Sequence, residues 1–156
     1  MYQLRGEYEC SVDAKGRLRL PSSLLRQLGG SGPLSFVVNR GFEKCVMLYP
    51  KEVWDRKAAE VNALNIYNPK QRTFIRYFYR GATDVVVDDA SRINLPNSLL
   101  SYAGIDKDII LFAYHEQIEI WSKEQYDQAM LDEPEEFSAL AAEVFGGRDL
   151  DAAHDE

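Results

Sequence analysis

The chain has 156 residues, 46% of them apolar and 12% aromatic, which is enough for a packed core and excludes wholesale disorder. No run of eighteen apolar residues is present to cross a membrane, the opening "MYQLRGEYEC" lacks the apolar stretch of a leader, and two cysteines, Cys10 and Cys45, are too few for a disulfide framework or a four-ligand zinc site; the expectation is a reduced, cytoplasmic protein. The net charge of −7 argues against nucleic acid until it is divided: residues 1–80 carry 14 Lys and Arg against 7 Asp and Glu, and residues 81–156 carry 4 against 18, so a basic surface is compatible with the acidic total.

In chain order, a first strand runs up to Asp13. "DAKG" then suits a type I turn, with Asp13 accepting backbone N–H groups and Gly16 taking the left-handed conformation. A short strand "RLRL" follows and stops at Pro21, which cannot donate to a ladder. "SSLLRQLG" reads as a short helix with Ser22 as N-cap and Gly29 as its C-terminal stop. The Gly-rich "GGSGPLS" (29–35) is a loop, and "LSFVV" and "KCVMLY" are strands joined across "NRGFE". Residues 51–65 place Val53, Trp54, Val61 and Leu64 at near-helical spacing. Asn68-Pro69 starts a further helix, with Phe74, Ile75 and Phe78 on one side. The aromatic cluster Phe74, Tyr77, Phe78 and Tyr79 fits core or subunit packing better than base stacking.

From residue 80 the chain repeats itself. Aligned at an offset of 75, residues 5–29 and 80–104 share eleven of 25 positions, Asp13/Asp88, Arg17/Arg92 and Pro21/Pro96 among them; composition alone gives roughly one or two. The second copy has the strand "RINL", a helix "NSLLSYAG" with Asn97 and Gly104 at its ends, and strands "DIILFAY" and "QIEIW" around "HE". The register then slips by three, a slip assigned to the loop at 29–35. Lys123–Leu131 resembles the start of the first copy's helical linker. "PEEFSALAAEVFGG" spaces Phe137, Leu140, Ala141, Val144 and Phe145 as one apolar stripe that needs a partner surface, and "RDLDAAHDE" reads as a frayed, solvated end.

Asp-x-x-x-Arg can be a clamp that only fixes its hairpin. The first copy adds more: Lys15 sits at the turn tip, and Arg17 and Arg19 alternate with Leu18 and Leu20, so the cations share one face. A narrow strand with a cationic face can enter a DNA groove or lie along phosphates, and arginine's planar fork suits both guanine and phosphate. In the second copy Ala90, Ser91 and Asn94 stand at the positions of Lys15, Gly16 and Arg19, and only Arg92 remains. The candidate DNA-binding residues are therefore Lys15, Arg17, Arg19 and Arg92, with Asp13, Gly16 and Asp88 shaping the turns. An enzyme has little support. His115 and His154 lack metal-ligand spacing, Ser22 and Ser23 lack a nucleophile elbow, and the paired acids read as surface. No catalytic residue, metal, cofactor or small-molecule substrate is expected.

"GEYECSVDAKGRLRLPSSLL", the second "D-x-x-x-R-I-x-L-P-x-x-L-x-x-x-AGI" and the later "IEIW" together resemble the MraZ family of bacterial transcriptional regulators, over at least residues 1–145. The resemblance implies an α+β fold: a pseudo-twofold β-barrel of two tandem AbrB/SpoVT-like swapped-hairpin repeats, with helices after each. It places the first repeat at 7–54, a helical linker at 55–80, the second repeat at 81–126 and an amphipathic helix with an acidic tail at 127–156. It further implies a sequence-specific repressor of the division and cell-wall gene cluster that includes its own gene. Such a protein binds double-stranded DNA at repeated promoter sites as a ring-shaped homo-oligomer on the nucleoid. An oligomeric protein-interaction scaffold and an AbrB-like antitoxin are the competing readings.

Overall fold

A computed structural model of the chain describes residues 2–29, 34–130 and 132–155, with residues 147–155 as backbone only. Two compact units part between Gln125 and Tyr126. The first contains β1 (Leu4–Ser11), β2 (Arg17–Arg19), α1 (Ser22–Gln27), β3 (Ser35–Arg40), β4 (Val46–Pro50), α2 (Lys51–Asn62), α3 (Pro69–Tyr79), β5 (Thr83–Val86), β6 (Arg92–Asn94), α4 (Asn97–Ala103), β7 (Asp108–His115) and β8 (Gln117–Ser122). After α5 (Lys123–Ala129), α6 (Pro134–Asp155) lies in the second unit. The class is α+β, with every strand pairing antiparallel.

One sheet has six strands in the order β1-β7-β8-β4-β3-β5, and a second is the two-stranded ribbon β2-β6. The pairing interleaves the two copies: β1 of the first lies on β7 of the second, β5 of the second lies on β3 of the first, and β2 lies on β6. Exchanging β1 with β5, β2 with β6, β3 with β7 and β4 with β8 leaves the list of pairings unchanged. Two pairings map onto themselves, centred on Leu18↔Ile93 and Met47↔Glu119.

The same register relocates the slip between copies. Ser11 pairs with Asp108, and its counterpart Val86 pairs with Ser35, so Ser35 answers to Asp108 at an offset of 73. Phe36↔Pro50 then answers to Ile109↔Ser122, an offset of 72 in β4. Two residues of the slip thus lie before β3 and the third in the 41–45 loop, whereas the sequence alone points to 29–35 for all three. Residues 30–33 of that stretch lie outside the described residues.

Strand alternation builds the core. Leu18, Leu20, Leu24, Val38, Val46, Leu48, Ile93, Leu95 and Leu99 are buried together beneath the ribbon and against one face of the large sheet; full burial of each such side chain contributes roughly 1.5–3 kcal/mol. The short helices differ from expectation at their starts. Pro21 and Pro96 occupy the N-caps of α1 and α4, with no side-chain cap bond, and Ser22 and Asn97 are already helical. Proline's fixed φ, −59° and −61° here, is compatible with that position, and its carbonyl accepts the first helical N–H, from Leu25 and Leu100 respectively. Gly104 ends α4 in the left-handed conformation, and Asn68 caps α3 by accepting from Lys70 N and Gln71 N, both as expected. The first copy's linker is α2 followed by α3; Trp54 of α2 stacks on Phe78 of α3 at 4.7 Å. In the second unit the backbone is helical to Asp155, where a frayed end was expected.

Candidate nucleic-acid interface

The two copied turns have the same geometry. Asp13 Oδ1 accepts the backbone N–H groups of Lys15 and Arg17, each at 2.9 Å, and Arg17 Nε donates to Asp13 Oδ2 at 2.8 Å. Asp88 Oδ1 accepts from Ala90 N and Arg92 N at 2.9 Å, and Arg92 Nε donates to Asp88 Oδ2 at 3.0 Å. Gly16 N and Ser91 N close the turns onto the carbonyls of Asp13 and Asp88. The N–H bond from Arg17 or Arg92 is the chief reason that each carboxyl is held below its ordinary value, with the other turn N–H and the guanidinium adding to it.

Position 16 and its counterpart 91 both adopt positive φ, 80° at Gly16 and 63° at Ser91. Glycine is required in the first copy for space as well, because a Cβ there would stand 2.9 Å from the Leu95 carbonyl oxygen. Each turn is also tied to the opposite copy: Leu95 N donates to Gly16 O and Leu20 N to Ser91 O.

These ties set the two basic strands side by side. Arg17 pairs with Asn94, Leu18 with Ile93, and Arg19 with Arg92. With a period of two, Leu18 and Ile93 point into the core, and Arg17, Arg19, Arg92 and Asn94 share the outer face. Lys15 stands exposed at the tip of the first turn. The structure therefore brings all four candidate cations to one ribbon, with one arginine from the second copy directly opposite one from the first.

The cations differ in what they do for the fold. Arg17 and Arg92 are each engaged by an aspartate and keep about a third of their side-chain surface exposed (34% and 32%). Among the described residues, the side chains of Lys15 and Arg19 make no hydrogen bond or ion pair. Beside the ribbon, Arg19 lines a cavity of about 490 Å³ with Cys10, Pro21, Ser22, Ala90 and Ser91.

Two features lie beyond the candidates that the residue pattern indicates. Asn94, which in sequence marks a lost arginine, presents an amide donor and acceptor on the outer face, and the alternation in "RINL" is the signal for it. The turn-sized "NRGFE" is a built loop. Tyr102 donates to the carbonyls of Gly41 and Glu43, Arg40 and Lys44 both lie 4.6 Å from its ring centre, and Phe42 is fully exposed. No periodicity marks such a loop in advance. Among the described residues no group of three or more His, Cys, Asp and Glu could hold a metal ion, and no helix is long and apolar enough to cross a membrane.

Comparison with known proteins agrees with this duplicated design. A family model described as "MraZ protein, putative antitoxin-like" matches residues 3–77 and again 78–146. A protein of Christiangramia forsetii named "Transcriptional regulator MraZ" is 42% identical over 97% of this chain and 98% of its own. Proteins of the same name from Flavobacterium psychrophilum and Desulforamulus reducens are 40% and 34% identical, over 94% and 89% of this chain and 94% and 95% of their own.

Proposed function

The chain belongs to the MraZ family of transcriptional regulators, and from that premise we propose that it is a sequence-specific regulator that binds double-stranded DNA through the β2-β6 ribbon. The observation that carries the reading is the shared outer face of Arg17, Arg19, Arg92 and Asn94 with Lys15 at its tip. A two-stranded ribbon fits the major groove. Arg19 and Lys15, uncommitted within the fold, contact phosphate or base edges; Arg17 and Arg92 fix the hairpins through Asp13 and Asp88 and offer their remaining exposed surface.

A few cations per chain give weak, salt-sensitive binding, on the order of 10⁻⁴–10⁻⁶ M. Useful affinity then requires several ribbons on repeated sites, since linked contacts raise avidity by about 10²–10⁴. We therefore read the working form as a homo-oligomeric ring, acting on the nucleoid in the cytoplasm as a repressor at repeated sites ahead of the division and cell-wall genes, its own included. It takes no cofactor or small-molecule substrate. The pairing list that maps onto itself supports a pseudo-twofold barrel of two swapped-hairpin repeats, at 7–54 and 81–126, with 55–80 and 127–156 as helical additions.

Gel retardation over a salt series tests this. The wild-type chain should retard a fragment carrying its own promoter more strongly than a scrambled one, and a Lys15→Ala/Arg19→Ala variant should lose most of that retardation. An interaction scaffold with an incidental hairpin predicts equal, weak retardation for all of them, and that result would sink the reading.

A further inference from the structure

Two helices present exposed apolar faces of opposite charge. Phe74 and Tyr77 of α3 are exposed, as is Tyr67 just before it. Lys70 lies between the Phe74 and Tyr77 rings on the same side of α3, and Arg76, also exposed, lies about 100° round the helix from Tyr77. No acid occurs from residue 61 to residue 83. On α6, Phe137, Leu140, Val144 and Phe145 are exposed at helical spacing. Glu136 and Glu143 lie together along one edge of that stripe, and no cation occurs from residue 124 to residue 147.

We propose that α6 of one copy docks on α3 of a neighbouring copy, apolar stripe on aromatic face, with its acids against Lys70 and Arg76. The inference rests on the ring reading above and names the contact that builds it. Charge decides the pairing. Setting α3 on α3 confronts Lys70 and Arg76 with their own copies, and setting α6 on α6 does the same for Glu136 and Glu143. Such like-charge juxtaposition opposes association. The complementary pairing joins two different patches, so it repeats head to tail from copy to copy, the arrangement that closes rings. Clustered exposed aromatic and aliphatic side chains are the usual mark of such a contact.

The test is the mass of the full-length chain in solution, by light scattering on a sizing column, for the wild type and two charge-reversed variants. These are Lys70→Glu/Arg76→Glu and Glu136→Lys/Glu143→Lys, each checked for an unchanged far-ultraviolet circular dichroism spectrum. The wild type should be a large assembly, and each variant alone should lose the high-mass species. Mixing the two variants should restore it, because each reversed helix then meets a complementary one. A monomeric wild type would defeat the ring reading and this contact with it. A large wild type whose variants keep its mass would leave the ring standing and overturn the α3–α6 contact. Variants that dissociate but fail to recover on mixing overturn it too.

Discussion

At the scale of single residues, the two copies separate side chains that hold a hairpin from those free to do something else. Arg17 and Arg92 are bound to aspartates in identical geometry, whereas Lys15 and Arg19 have no partner among the described residues. Arg19→Ala should therefore weaken DNA retardation and make its salt dependence shallower, by roughly 0.9 in log–log slope per lost phosphate contact, with an unchanged thermal midpoint. Arg17→Ala should lower both. A drop in the midpoint for Arg19→Ala would show that it is structural after all. Asp13 and Asp88 predict the acid response. Their carboxyls lie below the ordinary value of 3.8 in the folded chain, so their contribution is complete above pH 3.8 and is lost only as pH falls through the lower folded values. Asp13→Asn/Asp88→Asn should be less stable at neutral pH and should show a flatter fall of stability below pH 3.8 in denaturant titrations. Position 16 offers an internal control. Ser91→Gly relieves a left-handed serine and should gain up to about 1 kcal/mol, whereas Gly16→Ser meets the Leu95 carbonyl as well and should cost more than the roughly 1–2 kcal/mol of left-handed strain; urea denaturation measures both. The turn geometry was legible because Asp, Gly and the intervening spacing dictate it locally. The pairing partner of Arg19 was not, because no local rule links residues 19 and 92.

At the scale of elements, the ribbon depends on what lies beneath it. Leu18 is fully buried and Ile93 is 1% exposed, and they face each other at the centre of the β2-β6 pairing. Truncating either to alanine should cost about 2–5 kcal/mol, and because the ribbon is shared, Ile93→Ala in the second copy should damage DNA retardation as much as Leu18→Ala in the first. Retardation unaffected by Ile93→Ala at temperatures where the variant stays folded would mean that the first hairpin works alone. Element order and most strands were readable from alternation and from the breaks at Pro21, Pro96 and Gly104. The helix starts were misassigned for a local reason: serine and asparagine are strong N-caps in general, but a preceding proline whose φ suits the cap position takes it and leaves them as first helical residues. The one-residue part of the slip was hidden because the 41–45 loop shows no glycine-rich signature like that of 29–35.

At the scale of the whole molecule, duplication and independence are different things. A repeat visible as eleven shared positions is compatible with two units that each fold alone and with two that interleave. The strand register interleaves them: among the described residues of the first unit, the β3-β4 and β7-β8 hairpins and the Val12↔Leu18 bridge pair within a copy, and the other strand pairings cross from one copy to the other. Each copy thus supplies strand edges that the other fills, so the two should lose structure in one step. The chain carries its own probes for this, one tryptophan in each copy, Trp54 and Trp121, 7% and 5% exposed. In single-tryptophan variants, Trp54→Phe and Trp121→Phe, fluorescence of the remaining indole should follow urea unfolding with a midpoint and slope that match circular dichroism of the same variant. Each variant's own dichroism serves as its reference, which removes any shift caused by the substitution. Two separated midpoints would mean that the copies fold as a tandem pair and that the crossing pairings add little. Coincident ones would mean that the β2-β6 ribbon, made of one strand from each copy, exists only when both copies are folded.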